Sequence, residues 1–99
     1  MTPWLHRALA RIRRQAATRQ LRLTSKARRE LAGLGLDEDD ACDVIVKLTA
    51  RDSAGRRASK ATGEWLYLFK PDLAGTTLYL KLVLRSECVV ISFHEDEGP

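Results

Sequence analysis

In the first half of the chain the apolar residues fall at helical spacing. Leu5, Leu9, Ile12 and Ala16 recur every three or four positions. Thr2-Pro3 ahead of them supplies a cap and a residue whose fixed φ suits a first turn, so a helix is predicted over about 3–18. Thr24 is placed to cap a second helix over 25–34, with Ala27, Leu31 and Leu34 as its stripe. Gly35 stands where a left-handed residue ends a helix. Asp37 then caps a third helix, 38–50, whose buried face is Ala41, Val44, Ile45 and Leu48. Its first turn is Glu38, Asp39 and Asp40, where the helix dipole favours carboxylates, which accounts for these acids without a metal.

The pattern changes at Arg51. Positions 51–63 mix Ser, Gly and Ala with Arg56, Arg57 and Lys60 and show no apolar period, so a basic loop is predicted. Loops of that length in a small domain usually act on something. The rest is rich in aromatic and β-branched residues and divides into strands at about 65–70, 77–85 and 88–94. Pro71, Asp72 and Gly75 mark one turn and Ser86-Glu87 the other. Helices first and strands afterwards predict an α+β fold with the N-terminal helices packed on one face of a small antiparallel sheet. The 99 residues suffice for one hydrophobic core, hence a single domain over 1–99.

A two-residue turn at Ser86-Glu87 sets Arg85 opposite Cys88, and the ladder then places Tyr79 opposite His94 and Lys81 opposite Ser92. Alternation sends Leu78, Leu80, Leu82 and Leu84 to the face beneath the helices and Tyr79, Lys81, Val83 and Arg85 to the open face. If a loop over 71–76 joins the first strand to the second, Lys70 lies opposite Thr77 and joins the open face, while Trp65, Tyr67 and Phe69 turn into the core.

Charge sharpens the picture. Between Met1 and Leu31 there are nine bases (Arg7, Arg11, Arg13, Arg14, Arg19, Arg22, Lys26, Arg28, Arg29) against the single acid Glu30. Such asymmetry suits a polyanion or an acidic protein as partner, although a solvated helix face would look the same. Arg7, Arg11 and Arg14 form a stripe on the first helix. The only cysteines, Cys42 and Cys88, lack CxxC spacing and are expected in the core. No apolar stretch approaches the length of a membrane span, so a cytoplasmic location is expected by default. P-loop, glycine-fingerprint and nucleophile-triad signatures are absent.

A phenol, an ammonium and an imidazole gathered on an open sheet face, with no carboxylate predicted beside them, suit cleavage of RNA by its own 2′-hydroxyl. That reaction needs a base, cations for the phosphorane and an acid for the departing 5′-oxygen, but no metal and no cofactor. Tyr79, His94 and Lys81 are therefore the candidate catalytic residues. Arg56, Arg57, Lys60, Lys70 and Arg85 are the candidate substrate-binding cations. Outward lysines and arginines also guard sheets against aggregation, so the cluster alone leaves a nucleotide-binding or protein-binding face open.

The run GLGLDEDDACDVIVKLTARD (33–52), then Trp65, then FKPDLAGTTLYLKLVLRSECVVISFHE (69–95) are similar to the MqsR toxin family. Its members carry a Leu-Gly-Leu-Asp with a Cys-x-Val-Ile helix, a basic loop, a tryptophan strand, a basic residue before Pro, and a final Val-Ser-Phe strand. The resemblance covers about two thirds of the chain. It implies a RelE-like fold, sequence-selective endoribonuclease cleavage of single-stranded mRNA, alone or on the ribosome, and silencing by a cognate antitoxin protein. The family's active face carries a loop lysine, a glutamine, a tyrosine and a lysine near the C-terminus. By position the tyrosine falls on Tyr79, the glutamine on Leu66 and the terminal lysine on His94, while the loop lysine falls near Arg56, Arg57 or Lys60. His94 keeps a group able to carry protons; Leu66 loses a hydrogen-bonding one. The rival readings are a non-catalytic RNA-binding or antitoxin-binding module of the same fold, and a protein whose working part is the arginine-striped first helix.

Overall fold

The computed structural model describes residues 2–98. Helix α1 spans Pro3–Ala17 with proline in its first turn, and Leu5, Leu9, Ile12 and Ala16 are buried as their spacing requires. Thr18 closes it, and Arg19, at φ 61°, reverses the chain. Helix α2 spans Ser25–Gly33, where the Thr24 side chain accepts from the Ala27 N–H as an N-cap. Gly35 adopts φ 74° just beyond its end, a conformation that a side chain would strain.

Helix α3, Glu38–Val46, opens with a reciprocal pair in which the Asp37 side chain accepts from the Asp40 N–H and the Asp40 side chain accepts from the Asp37 N–H. It stops short of the predicted end at 50. Thr49 and Asp52 make a cap of their own, the Thr49 N–H donating to Asp52 Oδ2 at 2.8 Å, and this starts a separate one-turn 3-10 helix over Ala50–Asp52.

The sheet has more strands than the periodicity predicts. They are β1 (Leu21–Leu23), β2 (Ser53–Ala58), β3 (Trp65–Phe69), β4 (Asp72–Leu73), β5 (Thr76–Leu84) and β6 (Cys88–Glu95). The order is β1-β6-β5-β3-β2, with β4 paired to β5. All pairings are antiparallel except β1 with β6. Strand β1 is too short to show a period. Most of the expected basic loop is in fact the edge strand β2 and its turn, held by backbone pairing to β3 and not by any apolar pattern of its own.

Beyond Leu23 the free edge of β6 is closed by side chains of α2 and of its N-cap. The Phe93 N–H donates to Glu30 Oε1 at 3.0 Å, and Thr24 Oγ1 lies 3.4 Å from the Ile91 carbonyl it donates to. The main core lies between the helices and the Leu78, Leu80, Leu82 and Phe93 face of the sheet. Cys42 and Cys88 are buried free thiols, and burial pushes Cys88 up to about 12.

The β5–β6 hairpin reaches the expected register by a different route. Leu84, not Arg85, pairs with Cys88, so the turn holds one residue more than the sequence suggests, and a bulge at Ile91 takes up the offset. Tyr79 therefore does face His94, and Lys81 does face Ser92. From the turn to the bulge the ladder runs one residue off, with Val83 opposite Val89, and both valines are buried although they lie on the face away from the helices.

Candidate active face

Cα partners across the sheet define transverse rows of side chains on the face away from the helices. The first runs Tyr79–His94, and Lys70 joins it one residue beyond β3. The second runs Leu68–Lys81–Ser92. The third contains Arg57–Leu66 and Val83–Val89, and the β3–β5 register, extended by one residue, sets Leu66 beside Val83. Neighbouring rows are about 6.6 Å apart, the repeat of alternate residues in a strand.

In the first row the Tyr79 and His94 rings stack, with centroids 5.2 Å apart and an interplanar angle of 19°. His94 Nδ1 lies 2.8 Å from the Glu95 carbonyl. A carbonyl only accepts, so Nδ1 carries the proton, and in the neutral ring Nε2 holds the lone pair. The β3–β5 register is two residues displaced from the one that sets Lys70 opposite Thr77, because Asp72–Leu73 makes its own strand against Thr76–Thr77. A displacement of two keeps the face, and Lys70 Nζ sits 3.5 Å from Asp96.

Lys81, half-buried in the second row, has its ammonium pushed below the usual lysine range, first by burial and then by the charges of Arg57 and Lys26, with Glu30 opposing. Lys26 comes from α2 and donates to Ser92 Oγ and to Glu30 Oε2, each at 3.0 Å. Burial by itself would raise the Glu30 carboxyl, but the Phe93 N–H, Lys26 and the charge of His94 outweigh it and hold Glu30 below its ordinary value. The face therefore has carboxylates at its border, Glu30 and Asp96, where the strand pattern predicts none. Lys26 and Glu30 are not among the sequence candidates. Their i, i+4 spacing is visible, but nothing local shows that α2 packs along β6.

The three candidate cations of segment 51–63, Arg56, Arg57 and Lys60, separate. Ser53 pairs with Phe69, but Arg56 pairs with Tyr67, so one extra residue lies between, at a bulge where Gly55 takes φ 92°. An extra residue exchanges faces. Arg56 is thereby turned to the helix side, its guanidinium 3.8 Å from the Trp65 ring centroid and 4.6 Å from that of Trp4. It does not join the face that bears Tyr79, contrary to the expectation from sequence. The same cluster holds Trp65 at the surface, 45% exposed, where alternation predicts burial. Arg57 points to the open face and, with exposed Lys60 and Leu66, lines a shallow concavity there.

Arg85 is committed elsewhere. Its guanidinium makes a two-pronged pair with Glu64, at 2.9 and 2.8 Å, and the hydrogen bonds from Arg85 hold the Glu64 carboxyl at about 2. The arginine stripe of α1 is also divided, since Arg11 donates to the Arg85 carbonyl and neighbouring Gln15 to that of Ser86. Helix α1 thus grips the hairpin turn instead of presenting a continuous charged surface.

A cleft of about 420 Å³ lies between α3 and β4 and is bordered by Asp40, Asp43, Asp52 and Asp72. Its charge is wrong for a polyanion. Among the described residues no three His, Cys, Asp or Glu side chains converge as a metal group would, and no helix is long and apolar enough to cross a membrane.

An α+β domain that covers one sheet face with helices and lines the other with cations, a phenol and an imidazole belongs with the small proteins equipped to handle a polyanion. The family described as "Motility quorum-sensing regulator, toxin of MqsA" matches residues 4–95, and the chain belongs to this MqsR toxin family. It is 28% identical over 91 residues to the mRNA interferase toxin MqsR of Escherichia coli (strain K12), a match covering 91% of this chain and 93% of that protein.

Proposed function

We propose that this chain is an endoribonuclease toxin that cuts single-stranded mRNA to arrest translation and growth, acting in the cytoplasm and held in check by a cognate antitoxin. The observation that carries the reading is the stacked Tyr79–His94 pair one row from Lys81. His94 Nε2, freed as acceptor by the Nδ1–H bond to Glu95, takes the proton of a ribose 2′-hydroxyl. The 2′-oxygen bonds to the adjacent phosphorus, and Lys81, Arg57, Lys60 and Lys70 offset the charge gathering on the phosphorane. The bond from phosphorus to the 5′-oxygen breaks, and the Tyr79 hydroxyl supplies the proton that the leaving alkoxide takes up. The products are a 2′,3′-cyclic phosphate and a 5′-hydroxyl end. Every role is filled by a side chain, so no metal or cofactor is called for.

Leu66, standing where the family carries a glutamine, removes an amide from the floor of this face. It favours a change in which bases are preferred over a change in reaction. The experiment is to incubate the purified protein with a long defined RNA in the presence of EDTA and map the ends. Discrete cuts with 5′-hydroxyl ends, lost in His94→Ala, support the proposal. Intact RNA with a salt-sensitive mobility shift would replace it with a binding module.

A further inference from the structure

The open face uses few of the bases crowded into the N-terminal third. Arg19 pairs with Asp39, Arg28 with Glu38 and Lys26 with Glu30, while Arg11 and Arg13 donate to backbone carbonyls. Of the others, Arg22 is set apart by its strand. Its partner in the parallel β1–β6 ladder is Val89, which lies on the open face opposite Val83. Leu23 is in the main core and Leu21 packs against it, so alternation sends the exposed Arg22 side chain the other way. The third row thus runs Arg57–Leu66–Val83–Val89–Arg22, an apolar stretch whose two valines are buried, with an arginine at each end. Neither arginine has a carboxylate partner among the described residues. Four strand-to-strand steps separate the two ends, roughly 19 Å at the usual strand spacing.

The geometry points to Arg22 as a second phosphate-binding subsite for single-stranded RNA, so that the substrate crosses the strands along the third row from Arg57 to Arg22, with the Lys81 row beside it and the His94 row one further on. The inference rests on the nuclease reading and extends it, because it assigns a path and a far anchor to a strand whose scissile phosphate alone would not reach the edge of the sheet. Arginine suits the role, since it stays charged and offers phosphate a planar fork of donors.

The test uses the full-length protein and a fluorescent RNA with a 2′-O-methyl group on every ribose, which cannot be cut by the proposed route. Affinity is measured by anisotropy over a range of salt. Removing one cation that binds a phosphate should reduce the slope of log affinity against log salt by about 0.7 for a single strand. Arg22→Gln is expected to lose one such step and Arg57→Gln another, the double variant losing both, whereas Arg22→Lys keeps the slope. Arg29→Gln, which removes an exposed arginine of α2 outside the row, serves as the control for net charge. Shortening the RNA from one end should erase the Arg22 effect before the Arg57 effect.

A wild-type slope in Arg22→Gln, or an equal loss in Arg29→Gln, would overturn the subsite while leaving the catalytic reading standing. The reverse failure is distinct: slope losses in both variants, with unmodified RNA left intact by the wild-type protein, would sink the nuclease reading and keep the path.

Discussion

Replacing His94 by alanine tests the chemistry most directly, because its cost to the fold and its cost to the reaction differ in size. The side chain makes one exposed hydrogen bond, to the Glu95 carbonyl, and one ring stack, on Tyr79. The bond is worth about 0.5–1.5 kcal/mol and the stack about 0.5–1.5 kcal/mol, so the fold should lose roughly 1–3 kcal/mol. At about 4–8 °C per kcal/mol for a domain of this size, the variant melts lower but stays folded at 25 °C if the parent has ordinary stability. A general base contributes about 10² to 10⁴ in rate, or about 2.7–5.4 kcal/mol of barrier. Single-turnover cleavage at 25 °C, with folding checked by circular dichroism, should therefore fall by at least about 10². Added imidazole should restore part of it, since the variant lacks a proton acceptor and not a shape. Tyr79→Phe keeps the stack and removes only the hydroxyl, so it should lose rate with little change in melting and no imidazole rescue. A folded His94→Ala protein cutting within tenfold of the parent would refute the assignment, and so would imidazole rescue of the phenylalanine variant.

Three further outcomes follow from the charges. Arg56→Ala should reduce stability by about 1–2 kcal/mol through its two ring contacts without altering the salt slope of RNA binding, whereas Arg57→Ala should do the opposite; denaturant midpoints and anisotropy titrations check both. Lys81 is depressed by burial, Arg57 and Lys26 and supported by Glu30, so Lys26→Met should move the alkaline limb of the cleavage profile to higher pH and Glu30→Gln to lower pH. Shifts of the same sign would mean that Lys81 is not the group titrating there. Glu64, held at about 2 against an ordinary 4.5, contributes stability that is fully present above pH 4.5 and lost as the pH falls toward 2, so unfolding curves over that window should flatten in Glu64→Gln. The pair is exposed, and added salt should shrink the difference.

What is legible along the chain, and what is not, divides by how far each feature reaches. The caps at Thr24 and Asp37 and the buried stripe of α1 are local, and they stand as the spacing implies. The Tyr79–His94 pairing is legible for a weaker reason: a turn longer by one residue and a bulge at Ile91 cancel, so a simple hairpin points to the right partner through the wrong turn. No such cancellation helps β2. There a single glycine at positive φ adds one residue to the ladder, and that residue decides which of two adjacent arginines reaches the open face and which is enclosed by tryptophans. Strand β1 is the extreme case, because Leu-Arg-Leu carries no recognisable period and becomes a strand only by lying along β6. The cations that bear on the open face but escape local reading, Lys26 and Arg22, both depend on that one long-range pairing. It follows that the N-terminal third does more than cover the core. By closing the free edge of β6 it also brings positive charge round to the face that the hairpin alone would leave half-built, and loosening this edge should weaken RNA binding before it unfolds the domain.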